Sequence, residues 1–201
     1  MLHFVLGVAG SGKSLYAEQL IATYQSPTVY CGTLPLIAYY SESIRHHRER
    51  RPADWGLIEL IGDPMTDLKL LETALQAYRN LLLDGLSFYL LQLATGFHLD
   101  MAEARLQAIS IIEYAARCSG QVLIVDAPVQ CQEEPYEEQM FRNVHELLAV
   151  KAQRITLFDE GSVKSLNVDD VFHSNWPRHR NNSDPRLNHM LHCVSRGNRN
   201  A

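Results

Sequence analysis

Between positions 1 and 166, short apolar runs alternate with longer segments whose apolar residues recur at helical spacing. The clearest apolar runs, Leu2–Gly7 and residues 121–126, predict buried strands. The clearest helical segment spans residues 99–118 and stops at Ser119-Gly120. Its aligned small and apolar positions are Ala104, Ala108, Ile111 and Ala115. Because strands alternate with helices, the pattern predicts an α/β fold with a mainly parallel β-sheet and helices on both faces.

The remaining predicted elements are shorter and continue the same alternation. Strands are predicted at residues 29–31, 57–60, 80–84 and 154–158, with a weak last strand at 162–166 after a turn at Glu160-Gly161. Helices are predicted over residues 15–24, at the centre of 35–51, from 63 onward, and over 86–94 and 133–151. In two of these helices the residues predicted to point inward are Leu68, Leu71 and Leu75, and Met140, Val144, Leu147 and Leu148.

The character of the chain changes at Asn167, where a segment rich in Asn, Arg and His begins. We therefore predict a nucleotide-binding domain over residues 1–166 and an extension over 167–201, either loosely ordered or packed on a neighbouring subunit. The histidines of the extension have no standard metal-ligand spacing, which argues against a metal site built from them. They are His173, His179, His189 and His192.

Composition narrows the class of protein. The chain has 201 residues, 46% of them hydrophobic and 20% charged, as is typical of one globular domain. A net charge of −5 gives no indication of a nucleic-acid or anionic-membrane partner. The four cysteines have no C-x-x-C spacing, which fits a reducing cytoplasm. The amino terminus lacks the basic start of a secretory signal, and the apolar stretch at 81–97 is too short and interrupted to span a membrane.

The first strand leads into a motif with specific chemistry. Gly7-x-x-x-x-Gly12-Lys13-Ser14 stands between an apolar strand and a helix, which is the setting of a phosphate-binding loop. In such a loop, backbone N–H groups and the helix start face phosphate oxygens, the lysine reaches the β- and γ-phosphates, and the hydroxyl binds Mg²⁺. The motif predicts a fold of the P-loop NTPase type. Its candidate nucleotide-binding residues are Gly7, Val8, Ala9, Gly10, Ser11, Gly12, Lys13 and Ser14.

A loop of this kind usually works with an acid at the end of a neighbouring strand, which holds Mg²⁺ directly or through water. Asp84 follows the apolar run 81–83, and Asp126 follows the run 122–125. Each of them could instead cap the next helix in the chain. We favour Asp84 as the magnesium residue, because Asp126 runs into Ala127-Pro128 rather than a clear helix.

A basic cluster spans residues 44–55 and contains His46 and His47 among several arginines. Taken alone, such a run is typical of a solvated helix end. It also suits a histidine nucleophile beside arginines that hold a triphosphate, because imidazole can attack phosphorus while guanidinium groups neutralise the departing pyrophosphate.

Two motifs together resemble a known family. Gly7-x-x-x-Ser11-Gly12-Lys13-Ser14-x-Tyr16-Ala17-Glu18 is followed by Ile44-x-x-His47-Arg48-x-x-Arg51-Pro52-x-x-Trp55-x-x-x-Glu59. This combination is similar to adenosylcobinamide kinase/adenosylcobinamide-phosphate guanylyltransferase, the bifunctional enzyme of late cobalamin assembly. The resemblance covers residues 1–166 and is most specific in the first sixty.

The resemblance implies a transferase that uses GTP or ATP with Mg²⁺ and acts on a corrinoid, adenosylcobinamide or its phosphate. GTP would guanylylate a histidine, which maps onto His47, and GMP would pass to the phosphorylated corrinoid. Lys13 would assist catalysis, and Ser14 and Asp84 would hold Mg²⁺. The family also implies a homotrimer. The further nucleotide contacts that it implies are Gly32, Thr33, Arg48, Glu49, Arg50, Arg51, Glu59 and Asp84.

The chain departs from the family pattern at residues 37–43 and 126–131, where expected acidic and polar residues are missing. The nucleotide half is therefore retained, whereas parts expected to meet the corrinoid or support the kinase step are altered. Two alternatives stay open at this point. One is a diverged P-loop kinase of a small molecule, and the other is a non-catalytic nucleotide-binding protein that uses its extension as a partner arm.

Overall fold

A computed structural model describes residues 1–34, 41–96, 99–128, 135–159 and 162–167. The strands are β1 (Leu2–Gly7), β2 (Thr28–Gly32), β3 (Gly56–Glu59), β4 (Asn80–Asp84), β5 (Val122–Asp126), β6 (Arg154–Asp159) and β7 (Ser162–Asn167). The helices are α1 (Lys13–Ala22), α2 (Ser41–Arg50), α3 (Pro64–Ala77), α4 (Leu86–Gly96), α5 (Met101–Ala116) and α6 (Pro135–Lys151). The predicted turn at Glu160-Gly161 and the extension beyond Asn167 lie outside the described residues.

The strands form one sheet in the order β3-β2-β4-β5-β1-β6-β7. Neighbouring strands are parallel except for β7, which pairs antiparallel with β6 at the sheet edge. The mainly parallel sheet predicted from the sequence is thus confirmed. Since β5 lies between β1 and β4, the acid that ends β4 reaches the loop after β1 from two strands away.

Side chains alternate between the two faces of the sheet, and both faces are buried. On one face, Val5, Leu82 and Val125 pack against Ala17 and Ile21 of α1. The opposite face forms the larger core beneath α3, α4, α5 and α6. The prediction of helices on both faces is confirmed, and burial on both faces explains why the central strands are continuous apolar runs.

The predicted inward faces of the helices are confirmed where the structure describes their side chains. Leu71 is fully buried, with Leu68 and Leu75 packed beside it. The side chain of Met140 lies outside the described set. The remaining buried or core-packed residues are Ala104, Ala108, Ile111 and Ala115 in α5, and Val144, Leu147 and Leu148 in α6.

One helix boundary differs from the prediction for a local reason. The apolar pattern placed the start of α5 at Leu99, but the helix begins at Met101. The Asp100 carboxylate accepts the backbone N–H of Glu103 at 2.9 Å, and the Glu103 side chain accepts the N–H of Asp100 at 3.2 Å. This capping box fixes Asp100 as the residue before the helix.

Within the described ranges, every helix is too short or too polar to cross a lipid bilayer.

His3 is a buried histidine near the start of β1. Its side chain is fully shielded from solvent, and its Nε2 shares a hydrogen bond with Thr156 Oγ1 at 2.9 Å. Burial, assisted by the positive charge of Arg154, lowers its pKa to about 4. His3 is therefore neutral in the folded protein at a pH where an unfolded chain would already hold a proton on it.

This shift predicts a loss of stability in mild acid. The unfolded state binds a proton on His3 below its usual pKa of 6.5, whereas the folded state binds one only near 4. Stability from this group is thus complete above pH 6.5 and falls as the pH drops towards 4. We expect wild type to lose roughly 2–3 kcal/mol more than His3→Gln between pH 7 and pH 4.5, measured by urea unfolding. Identical losses in the two proteins would contradict the assignment.

Candidate functional site

The loop between β1 and α1 has the geometry of a phosphate-binding loop. A Cβ added to Gly7 would lie 2.6 Å from Phe158 Cβ and 2.9 Å from Ser11 Oγ, so the strand end tolerates only glycine. Gly12 has φ of 85°, a left-handed conformation that favours glycine and turns the chain into α1. Between them, Val8, Ala9 and Gly10 are exposed.

The amino terminus of α1 is free to face an anion. Gly12 provides no side-chain cap, and the first turn contains no acidic residue. The first N–H groups of a helix lack partners within the helix and carry its positive dipole end, so this terminus suits phosphate oxygens. Lys13 Nζ folds back to donate to the Val8 carbonyl at 3.3 Å. Burial lowers the pKa of Lys13, and the negative charges of Asp84 and Asp126 oppose that effect.

Asp84 stands at the carboxyl end of β4, facing the loop. Its Oδ1 accepts the Ser14 hydroxyl at 3.3 Å, and its Oδ2 accepts the Tyr30 hydroxyl at 3.1 Å. Burial raises the pKa of Asp84, and the nearby charges of His47 and Lys13 oppose the shift. Ser14 and Asp84 together present the hydroxyl and carboxylate oxygens that Mg²⁺ prefers.

Asp126, the other acid considered from the sequence, has a different environment. Its carboxylate accepts the Ser87 backbone N–H at 3.0 Å, the Ser87 hydroxyl at 2.8 Å and the Ala127 N–H at 2.9 Å. His145 Nε2 lies 2.8 Å from Oδ2, and Asp126 itself is 1% exposed. Asp126 therefore caps α4, the helix that follows β4, and joins it to β5.

The two adjacent histidines of α2 differ in solvent exposure and in the side chains that surround them. The His46 side chain is 52% exposed and lies near Glu42 and Glu49, 3.6 and 3.9 Å away. The His47 side chain is 17% exposed and points towards α1 and β4. Its Nδ1 is 3.1 Å from Glu18 Oε1 and 3.7 Å from Asp84 Oδ2. Asp84 therefore lies between His47 and Ser14 of the phosphate-binding loop, hydrogen-bonded to Ser14 and close to His47.

Two arginines of the cluster hold this arrangement together. Arg50 donates from Nε and Nη2 to the two oxygens of Glu18, at 3.0 and 3.2 Å. Arg51 Nε donates to the His47 carbonyl at 2.6 Å, and its guanidinium lies 3.8 Å from the centre of the Tyr30 ring. Both arginines thus fasten α2 to the rest of the site.

Further residues predicted to contact the nucleotide each have a partner of their own in the structure. Arg48 donates to Glu59 at 3.0 Å, with both side chains substantially exposed. Glu49 pairs with Arg45 at 3.0 Å on the exposed side of α2. Gly32 ends β2, and its carbonyl accepts the Leu60 N–H at 2.9 Å.

Thr33 is fully buried behind Asp84. Its hydroxyl lies 2.8 Å from the Asp84 carbonyl and 2.5 Å from the Gly85 carbonyl. The Thr33 carbonyl in turn accepts the Gln92 side-chain amide. Thr33 thus ties the end of β2 to the turn that carries Asp84.

No role is assigned to Glu18 from the sequence, although the residue stands in the first motif. The feature that could have indicated a role is an acid on the buried face of an otherwise apolar helix segment. Glu18 is 6% exposed and lies between Ala17 and Ile21, which face the core. Buried carboxylates are normally paired, so the position itself predicts a cationic or hydrogen-bonding partner.

The arrangement combines a phosphate-binding loop, a hydroxyl and a carboxylate of the kind that Mg²⁺ prefers, and a largely enclosed imidazole. In the part of the chain that the structure describes, no cluster of three or more His, Cys, Asp or Glu residues could hold a metal ion. This is compatible with Mg²⁺ bound together with nucleotide phosphates, since one or two protein ligands then suffice.

Solved structures similar to this chain share its fold at low sequence identity. A type III secretion system ATPase of pathogenic bacteria has a TM-score of 0.55 at 10% identity, over 88% of this chain and 60% of that one. The ATPase EscN of enteropathogenic E. coli has a TM-score of 0.51 at 11% identity, over 88% and 45%. A Pyrococcus horikoshii OT3 protein has a TM-score of 0.52 at 12% identity, over 82% and 84%.

These likenesses bear on the fold. The chain spans less than two thirds of the length of both secretion ATPases. With the parallel sheet and the loop after β1, they confirm the predicted α/β fold of the P-loop NTPase type.

The chain matches no curated protein at a significant level. It does match a family model, that of cobinamide kinase/cobinamide phosphate guanyltransferase, over residues 3–163. That match covers most of the chain, including the loop, the histidine helix and both acid-bearing strands, and it confirms the resemblance drawn from the two motifs. The chain therefore belongs to the cobinamide kinase/cobinamide phosphate guanyltransferase family, a family of transferases in cobalamin biosynthesis.

Proposed function

We propose that this protein transfers GMP from GTP to adenosylcobinamide phosphate through a GMP–His47 intermediate. One observation carries the proposal: His47 Nδ1 lies 3.7 Å from Asp84 Oδ2, and Asp84 Oδ1 accepts the hydroxyl of Ser14. The imidazole thereby lies close to a carboxylate that is hydrogen-bonded to the loop that would hold the triphosphate. A histidine on a solvated helix end would have no such connection.

The transfer would proceed in two displacements. In the first, His47 attacks the α-phosphorus of GTP, a P–N bond forms, and the bond to the bridging oxygen breaks to release pyrophosphate. In the second, a phosphate oxygen of the corrinoid attacks the same phosphorus and the P–N bond breaks. The products are a GDP-linked corrinoid and free His47.

The other residues would position the phosphates of GTP and neutralise their negative charge. The first N–H groups of α1 and Lys13 hold the phosphates and stabilise the departing pyrophosphate. Ser14 and Asp84 hold Mg²⁺, which supplies further neutralisation of phosphate charge when bound. The remaining nucleotide contacts stay as predicted from the resemblance, with Arg50 and Arg51 acting also as the structural ties of α2.

A second candidate is phosphorylation of adenosylcobinamide by the same loop. It is supported by the contact of Ser14 with Asp84, an arrangement that also suits transfer of a γ-phosphate. Kinase turnover that depends on Lys13 and is indifferent to His47 would distinguish this activity from guanylylation. A non-catalytic nucleotide-binding protein would bind GTP tightly without turnover.

The function is tested by incubating the full chain with GTP, Mg²⁺ and adenosylcobinamide phosphate. We expect pyrophosphate and a GDP-linked corrinoid in equal amounts, with GTP preferred over ATP. A parallel reaction with adenosylcobinamide and ATP or GTP measures the kinase step. Nucleotide binding with neither product would contradict the proposal.

Several expectations from the sequence and from the resemblance stay predictions. They are the homotrimer, the cytoplasmic location and the division into residues 1–166 and 167–201. Gel filtration with light scattering tests the first, and removal of the extension shows whether it contributes to assembly.

A further inference from the structure

Glu18 is the most enclosed charged residue of α1, and nothing in the two displacements yet requires it. It lies one helical turn after Ser14, on the side of α1 that faces α2. Its side chain is 6% exposed, and both oxygens accept the Arg50 guanidinium. The same carboxylate lies 3.1 Å from His47 Nδ1. This buried carboxylate, paired with both Arg50 and His47, is placed to determine which nitrogen of the proposed nucleophile carries the proton.

The surroundings of His47 determine which nitrogen carries the proton. Three polar groups face Nδ1: Glu18 at 3.1 Å, Arg50 Nη2 at 3.2 Å and Asp84 at 3.7 Å. If Nδ1 were unprotonated, its lone pair would accept from Arg50 but would face the carboxylate oxygens of Glu18 and Asp84. With a proton on Nδ1, the ring donates to Glu18, and Arg50 remains satisfied by the same carboxylate. The second arrangement leaves no acceptor opposite a lone pair.

Among the residues that the structure describes, Nε2 of His47 has no hydrogen-bond partner, and the side chain is 17% exposed. The Tyr30 ring lies beside the imidazole, with 6.2 Å between ring centres. Nδ1 is surrounded by Glu18, Arg50 and Asp84, so Nε2 is the ring nitrogen whose lone pair no described residue engages.

We infer that Glu18 is a positioning residue that holds the proton of His47 on Nδ1 and so makes Nε2 the nucleophile. The inference rests on the proposed function. Attack by the Nε2 lone pair forms the Nε2–P bond, releases pyrophosphate and leaves the imidazole cationic, with its proton still on Nδ1. Glu18 neutralises that cation until the corrinoid phosphate attacks and the electron pair returns to Nε2.

The charge state of Glu18 supports this role. Burial by itself raises the pKa of the carboxyl, but hydrogen bonds from His47 and Arg50 outweigh burial and lower it overall. Glu18 is thus ionised at neutral pH. A buried carboxylate that orients a catalytic imidazole and stabilises its cationic form is established chemistry in other enzymes, where the wrong tautomer slows the reaction about 10⁴-fold.

The tautomer can be measured without any nucleotide. In the full chain labelled with ¹⁵N-histidine, long-range ¹⁵N–¹H spectra at neutral pH report which nitrogen of His47 carries the proton. We expect Nδ1–H in wild type and a mixture of tautomers in Glu18→Gln, because an amide can either accept from or donate to the ring. Nε2–H in wild type, or an unchanged tautomer in Glu18→Gln, would overturn the inference.

Kinetics provide the second readout. We expect Glu18→Gln to reduce the rate of enzyme guanylylation about 10²–10⁴-fold, because it removes both the fixed tautomer and the negative charge that stabilises the cationic ring. The Kd for GTP should change by less than about threefold. The control is Glu113→Gln, which removes a Glu–Lys pair of 2.7 Å between α5 and α6 on the opposite side of the sheet. This control should leave both quantities unchanged. A GTP affinity that falls in step with the rate would overturn a positioning role.

The Arg50→Gln variant tests the positioning role of Glu18 in case Glu18→Gln fails to fold. If Glu18→Gln does not fold, Arg50→Gln leaves Glu18 in place and should retain the Nδ1–H tautomer of His47. Appearance of Nε2–H in this variant would overturn the inference. Failure of the proposed function is distinguishable, because it gives a wild-type protein with the Nδ1–H tautomer that never forms a GMP adduct.

Discussion

Replacing His47 with alanine is expected to reduce guanylylation of the protein by a factor on the order of 10³ or more. No other described side chain is expected to take over as nucleophile in the same place, because Tyr30 donates to Asp84, Asp84 also accepts from Ser14, and Glu18 is paired with Arg50. Binding of GTP should be retained, since the phosphate-binding loop does not depend on His47. The loss should therefore appear in the chemical step rather than in the affinity for nucleotide.

The matched control is His46→Ala. His46 is 52% exposed and contacts only acidic side chains of its own helix in the described structure, so its removal should change the rate by less than about twofold. The measurement is transfer of label from α-³²P-GTP to protein in the presence of Mg²⁺. The adduct should be acid-labile and base-stable. Equal labelling of wild type and His47→Ala would remove His47 from the mechanism.

The variants Asp84→Asn and Asp126→Asn should have opposite consequences: the first should lose activity, and the second should lose stability. Asp84→Asn is expected to lower activity by about 10²-fold or more, because it removes the carboxylate proposed to hold Mg²⁺ beside Ser14. Its free energy of unfolding should change by less than about 1 kcal/mol, since burial already disfavours the charged form of Asp84 and the amide keeps the same shape.

Asp126→Asn should instead lower the free energy of unfolding by about 3 kcal/mol. The amide nitrogen would face the donors of Ser87, Ala127 and His145, which now bond to the carboxylate. Urea unfolding and the guanylylation rate of the two variants provide the comparison. A full loss of activity in folded Asp126→Asn, with normal activity in Asp84→Asn, would reverse the proposed roles.

The fold could be predicted from the sequence because its signals are local. The strands are apolar runs buried on both faces, and the helices have a clear apolar side, so the alternation defines a parallel sheet. The phosphate-binding loop is equally local, since the strand end, the glycines and the helix start are consecutive. The antiparallel pairing of β7 was not predicted, because the orientation of a short exposed edge strand depends on its partner.

Strand order and long-range pairing could not be read in the same way. Asp84 and Asp126 both end apolar strands, and only the insertion of β5 between β1 and β4 determines what each carboxylate meets. Asp126 was considered as a cap for a following helix, yet it caps α4, which precedes it in the chain. The approach of α2 to α1, which joins His47 to Glu18, likewise depends on tertiary packing over 29 positions.

The arginine cluster also shows that the partners of charged residues depend on tertiary packing. From the sequence, Arg48, Arg50 and Arg51 are equivalent candidates for nucleotide contacts. In the structure Arg50 pairs with buried Glu18, Arg51 stacks on Tyr30, and Arg48 lies at the exposed edge with Glu59. Their charges were readable in advance, but their partners come from three different elements.

Covalent attachment of GMP to His47 is the step on which the proposed function depends. Its most direct test is mass spectrometry of the wild-type protein after exposure to GTP and Mg²⁺ without a corrinoid, with fragmentation of the peptide that contains His46 and His47. We expect a GMP-sized addition located on His47 that disappears when adenosylcobinamide phosphate is added. An unmodified peptide from a protein that forms the GDP-linked product, or an addition on another residue, would contradict the account.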